Sequence, residues 1–274
     1  MKKVLTIAGS DSTGGAGLQA DLKTFQEYGV FGFSSLTSVV TMDPESGWSH
    51  EVTEIPVDLL EKQLISVFAG GPVAALKTGM MGNEANIALA SEYITKFPET
   101  KVVIDPVIAC KGTAQILQPK SVAAIKEYLL PQALVVTPNL VEAGILSELG
   151  DLTSVADMKK AATAIYQQGA KNVVIKGGHR LGSEKAVDLL YDGNDFLLLE
   201  NELYQTDRNH GAGCTFAAAI TAGLAKGLSV VAAVSLAKDF VAVAIKNGVE
   251  VNPYVGHVWH GAYNAAEHRI TPEK

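Results

Sequence analysis

The chain has 274 residues and a formal net charge of −7, with 47% hydrophobic and 19% charged residues. That composition supports a sizeable core and excludes a disordered chain, and the acidic balance, with a pI near 5.4, offers no basic field for nucleic acid or anionic lipid. The Ala-rich segments of residues 212–246 are interrupted by Lys226, Lys238 and Lys246, so no apolar stretch reaches bilayer length. The apolar run behind the first two lysines meets Gly9 and Asp11 too early for a signal segment, and the expectation is a cytoplasmic chain whose two cysteines, Cys110 and Cys214, stay reduced.

In chain order, short β-rich runs alternate with helix-like stretches. VLTIAG (4–9), SSLTSVVTM (34–42), AALKTGM (74–80), VVIDPV (102–107), LVVTPN (134–139) and VVIKGG (173–178) each precede a helix-like segment or a loop leading to one. This is a βαβ rhythm, and the nearly continuous apolar character of the runs suits a parallel sheet covered by helices on both faces. Lys185–Tyr204 breaks the rhythm: two strand-like runs flank Asp192-Gly193-Asn194, which predicts an antiparallel hairpin at a sheet edge. Two helices follow, about Ala212–Lys226 and Ser229–Asn247. No linker, repeat or low-complexity tract divides the chain, so residues 1–274 are read as one domain.

The polar residues fall where such a fold binds ligands. Gly9 to Gly17, Met42, Thr78 to Met81, Asp105, Asn139 and Lys176 to Gly178 all stand at or just past the carboxyl end of an expected strand, so they line one rim. His210-Gly211-Ala212-Gly213-Cys214-Thr215 opens a helix, and its glycines let a helix N-terminus approach an anion. The same pattern also fits a plain glycine turn with a small buried cysteine. GxxxxGK[ST] is absent, so this is not a P-loop. A helix N-terminus lowers a thiol pKa, which makes Cys214 a candidate base, nucleophile or aldehyde-capturing group.

The Gly9–Gly17 loop is misspaced for a dinucleotide turn; it is either a flexible connection or a loop whose backbone and Asp11 touch a small polar ligand. Asp105, Asn139 and Glu142 offer the hard oxygens that Mg2+ and nucleotide phosphates need, although Asn139 and Glu142 are also ordinary helix-start residues. Lys176 at a strand end can neutralise a phosphate or simply be solvated. Ile108 to Thr113 reads as a lid or a bland loop, and His50 either faces the ligand or sits on a loop. His257-x-x-His260 lacks a third ligand, so a zinc site is set aside.

Taken together and in order, TIAGSDSTGGAGLQADLKTF, KTGM at 77–80, VVIDPV at 102–107, TPNLVEA at 137–143, VIKGGH at 174–179 and HGAGCTFAAA at 210–219 closely resemble the ribokinase-like superfamily. Within it they resemble the hydroxymethylpyrimidine kinase branch, which includes a group of bacterial pyridoxal kinases. The resemblance runs nearly end to end. It implies a three-layer α/β/α sandwich with a mostly parallel sheet and an edge hairpin, commonly a homodimer. It implies an ATP-dependent kinase with Mg2+ at Asp105 and Glu142, phosphates at Asn139 and Lys176, and an anion hole at Gly211, Ala212, Gly213 and Cys214. A K+ requirement is left open. Asp11, Gly17, Met42, His50, Met80, Val107 and His210 would line the substrate.

Substrate choice turns on Met42. Hydroxymethylpyrimidine kinases of the branch typically carry a glutamine there that reads the aminopyrimidine edge, and a thioether cannot make that hydrogen-bond pair. A pyridine ring is then the better fit, so the resemblance implies phosphorylation of the hydroxymethyl group of pyridoxal, with hydroxymethylpyrimidine or its phosphate as the alternative. Cys110 together with Cys214 also resembles the two-cysteine pattern of Gram-positive-type pyridoxal kinases, in which Cys110 closes over the substrate and joins the deprotonation. A binding protein without catalysis would have no need of Asp105, Glu142, Lys176 and Cys214 around one point.

Overall fold

The computed structural model describes residues 1–108, 119–178, 180–182 and 184–266. The lid expected over residues 109–113, with Cys110, and His179 of the sixth strand-end motif lie outside the described residues.

The chain opens with β1 (Lys3–Asp11), α1 (Gly17–Glu27), β2 (Phe31–Asp43), β3 (Ser49–Glu54), α2 (Val57–Phe68), β4 (Ala75–Thr78), α3 (Glu84–Lys96) and β5 (Lys101–Ile104). It continues through α4 (Pro119–Ala124), β6 (Val135–Val136), α5 (Leu140–Ser147), α6 (Val155–Gln167) and β7 (Val173–Gly178). The hairpin β8 (Lys185–Tyr191) and β9 (Phe196–Glu202) follows, then α7 (Ala212–Ala225), α8 (Val230–Lys246), the small hairpin β10 (Val249–Asn252) and β11 (Val255–His257), and α9 (Ala262–Ala266).

Among the described residues nine strands make one sheet in the order β3-β2-β1-β4-β5-β6-β7-β8-β9. β2, β1, β4, β5, β6 and β7 run parallel; at the two sides β3 pairs antiparallel with β2, β8 with β7, and β9 with β8. The expected hairpin is present, and its turn is held by Asp192, whose Oδ1 accepts from the amides of Asn194 and Asp195 at 2.9 and 2.8 Å. β3 was not expected: its SHEVTE sequence is largely exposed, so it carries no buried alternation to read. The LVVTPN run yields only two strand residues, because Pro138 cannot donate to a ladder.

Alternating side chains of the strands enter two cores. Leu5, Ile7, Val102, Ile104, Val173 and Ile175 pack with α2, α3, α5 and α6 on one face. Val4, Val103 and Val174 pack on the other with Phe25 of α1, Phe216 and Ile220 of α7, and Val234 and Phe240 of α8. This is the expected three-layer arrangement. α7 is buried along its whole length after Cys214, and its small residues permit that: Gly223 faces the Cβ of Ala233 on α8. Burial of α7 fixes its amino end beneath the carboxyl rim of the parallel strands.

Candidate active site

A cavity of about 220 Å3 opens at that rim, where β1, β4, β5, β6 and β7 end and α7 begins. Every described residue singled out for the site contributes to its lining, from Asp11 and Gly17 through Met42, His50, Met80 and Val107 to Cys214. The cavity lies at the rim where open α/β sheets bind ligands.

The first wall is the loop between β1 and α1. Asp11 organises it: Oδ1 accepts from the amide and hydroxyl of Thr13 at 2.8 and 2.7 Å, and Oδ2 accepts from the Ala16 amide at 2.9 Å and faces His210 Nε2 at 2.8 Å. Burial raises the Asp11 pKa, but the bonds from His210 and Thr13 outweigh it, and the carboxylate is held well below its ordinary range. Asp11 thus shapes the loop and orients His210 as well as bordering the cavity. The His210 and His257 rings lie tilted to each other with centroids 5.2 Å apart. His50 stands on β3 rather than on a loop, paired with Met42 across the ladder. No group of three or more His, Cys, Asp or Glu residues among those described could hold a metal, and His260 is engaged by Thr215 Oγ1 at 3.0 Å.

The second wall is acidic with one lysine. Lys176 Nζ lies 3.1 Å from Asp105 Oδ1, which also accepts from Thr137 Oγ1 at 3.2 Å. Burial disfavours the Lys176 charge, yet the Asp105 and Glu142 carboxylates prevail and hold the ammonium above its usual range. Glu142 receives the amides of Ile108 at 3.3 Å and Asn139 at 2.8 Å. Burial pushes its carboxyl up, with Asp105 adding to the rise, while Lys176 and the two amides oppose it. The helix-start reading of Asn139 and Glu142 holds. They form a capping box at the start of α5, and both border the cavity. Asn139 Oδ1 is used by the amides of Val141 and Glu142. The Asn139 side-chain NH2 donates to no protein atom among the described residues.

The floor is the amino end of α7. Gly211 adopts φ +86°, and the first-turn amides of Gly213 and Cys214 precede the first intrahelical bond, which runs from Thr215 N to Gly211 O. A Cβ on Gly213 would stand 3.4 Å from Lys176 Nζ, so the missing side chain leaves the ammonium beside these amides. The Cys214 pKa is raised, not lowered. Burial pushes the thiol up to about 12, with Asp21 and Asp105 adding, and Lys77 and the Gly17 amide only partly offset this.

Lys77 and Asp21 were quoted within motifs but given no role. Lys77 is fully buried, lines the cavity, and binds both oxygens of Asp21 at 3.0 and 2.9 Å; Thr6 Oγ1 donates to Asp21 Oδ2 at 2.6 Å. The available signal was a lysine inside a strand buried at all four positions, since such a charge needs a partner. Asn209 also borders the cavity and was not anticipated.

The comparisons agree with this geometry. The sequence model of the phosphomethylpyrimidine kinase family matches residues 11–259. The pyridoxine kinase of Bacillus subtilis (strain 168) is 50% identical over 262 residues, covering 96% of this chain and 97% of that one. Among solved structures, the pyridoxal kinase of Staphylococcus aureus in complex with AMP-PCP and pyridoxal superposes with a TM-score of 0.91 at 54% identity, covering 96% of this chain and 95% of that one. An ADP complex of Bacillus subtilis pyridoxal kinase gives 0.93 at 50% identity, covering 96% and 99%.

Proposed function

The chain belongs to the phosphomethylpyrimidine kinase family, and from that premise we propose that it is a pyridoxal kinase, transferring the γ-phosphoryl group of ATP to the hydroxymethyl oxygen of pyridoxal. The observation that carries this reading is the convergence of Lys176, the Gly213 and Cys214 amides and a thiol on one cavity walled by Met42 and His50. Phosphoryl transfer asks a protein for positioning and for positive charge around the transferring group, and Lys176 with the first-turn amides supplies both.

The nucleotide phosphates lie against Lys176 and the Asn139 NH2, with the γ-phosphoryl group at the amino end of α7. Asp105 and Glu142 suit a hard divalent ion: they are two carboxylates at the cavity, and Asp105 Oδ2 accepts no hydrogen bond among the described residues. They would hold Mg2+, which when bound offsets charge on the phosphates. The substrate oxygen attacks phosphorus as its proton passes to Cys214, and ADP departs; in its other role the Cys214 sulfur adds to the pyridoxal aldehyde, whose oxygen takes the proton. Both roles begin with the thiol giving up its own proton, to solvent when it serves as base and to the aldehyde oxygen when it adds to the aldehyde. Cys110 is read as the second cysteine closing over the substrate.

Exposed Leu59 and Ile65 on α2 support a homodimer, and the unpaired Cys214 thiol supports a cytoplasmic setting. A hydroxymethylpyrimidine substrate is the second reading, favoured by the family's own description, and Met42 in the cavity wall opposes it. The test is ATP consumption with pyridoxal, pyridoxine and hydroxymethylpyrimidine side by side, for the wild type and Cys214→Ala. Turnover of pyridoxal that collapses in the variant is expected, whereas a preference for the pyrimidine would overturn the assignment.

A further inference from the structure

A charged lysine with no solvent exposure is costly unless it is paired, and Lys77 is paired in a particular way. It stands on β4 and lines the cavity, and its ammonium is gripped by both oxygens of Asp21 on α1, which Thr6 of β1 in turn fixes. The pair is dry, with both side chains at 0% exposure. Lys77 and Cys214 line the same cavity.

We propose that Lys77 is a positioning residue for the Cys214 proton: its buried ammonium, held in place by Asp21, favours the thiolate over the thiol at the moment of transfer. The idea rests on the reading of Cys214 as the group that gives up its proton in the reaction. The charged groups that reach the thiol are Lys77 from β4, Asp21 from α1, Asp105 past β5 and Lys176 from β7. No hydrogen bond or ion pair joins Cys214 to Asp105 or Glu142 among the described residues. Lys77 is the strongest of the influences favouring the thiolate, and Asp21 opposes it. The two partners of one ion pair therefore act on Cys214 with opposite signs, although both hold the same local structure together.

That opposition gives the test. Below its pKa, the rate at which iodoacetamide alkylates a thiol is proportional to the thiolate fraction, and peptide mass mapping isolates Cys214 from Cys110. In the free enzyme at fixed pH, Lys77→Met should slow Cys214 alkylation about tenfold or more, Asp21→Asn should speed it, and Lys77→Arg should stay near the wild type. Equal rates, or both variants moving in the same direction, would show a purely structural pair and overturn the proposal. If the single variants fail to fold, the charge-neutral Asp21→Asn/Lys77→Met protein decides: slower alkylation than wild type supports the proposal, and an equal or faster rate overturns it. No substrate is present, so this outcome is independent of whether pyridoxal is phosphorylated.

Discussion

Gly211 and Gly15 cross backbone to backbone at the entrance to α7: a Cβ on Gly211 would overlap the carbonyl oxygen of Gly15, and Gly211 itself holds φ +86°. The loop after β1 and the amino end of α7 are thereby packed backbone against backbone, which ties the first wall of the cavity to its floor.

Gly211→Ala should therefore cost stability and activity together. The positive φ alone costs about 1–3 kcal/mol, and the overlap adds to it by displacing the loop. Gly227 has φ +95° with nothing near its missing Cβ, so Gly227→Ala should lose only the backbone share and keep its turnover. Urea unfolding midpoints and kcat for the two variants check this.

Lys176→Met removes the ammonium that neutralises Asp105 and faces the α7 amides. We expect kcat to fall by about 100-fold, the scale seen when one donor to a transition-state anion is removed. KM for ATP should rise while KM for pyridoxal stays nearly constant. Steady-state kinetics with each substrate varied separately would show it.

Met42→Gln places an amide where the cavity now presents a thioether. The ratio of kcat/KM for hydroxymethylpyrimidine to that for pyridoxal should rise by at least about tenfold, because an unpaired polar edge on the substrate gains a partner. A ratio that does not move would mean that ring choice is made elsewhere.

His260 is nearly inaccessible, and burial, with Lys23 and His257 adding, lowers its pKa from 6.5 to about 4. The fold keeps it neutral, so the unfolded chain binds more protons below pH 6.5. The stability tied to His260 is whole above pH 6.5 and is lost as pH falls from 6.5 toward 4, by about 2 kcal/mol between pH 7 and pH 5. His257 and His50, also held low, act in the same direction. Urea titrations at the two pH values should show a smaller loss for His260→Gln than for the wild type.

Strand-end polar residues made the site legible in the sequence. In a parallel sheet covered on both faces, apolar runs mark the strands, and the polar residues just beyond each run mark the carboxyl rim. Asp105, Asn139 and Lys176 were found that way, and the edge hairpin and the helices α7 and α8 followed from turn residues and spacing. β3 left no such mark, because an exposed edge strand buries nothing that would impose a period.

The sequence by itself determined which residues reach the rim, since periodicity and turn chemistry are local. Only the tertiary structure decided how their charges stand. Lys77 meets Asp21 across 56 positions of chain, Asp11 meets His210 across 199, and the Cys214 thiol rises to about 12 where helix-end reasoning alone predicts a fall. A group's protonation follows the sum of its burial and of every charge around it in space, and one helix terminus is a single contribution to that sum.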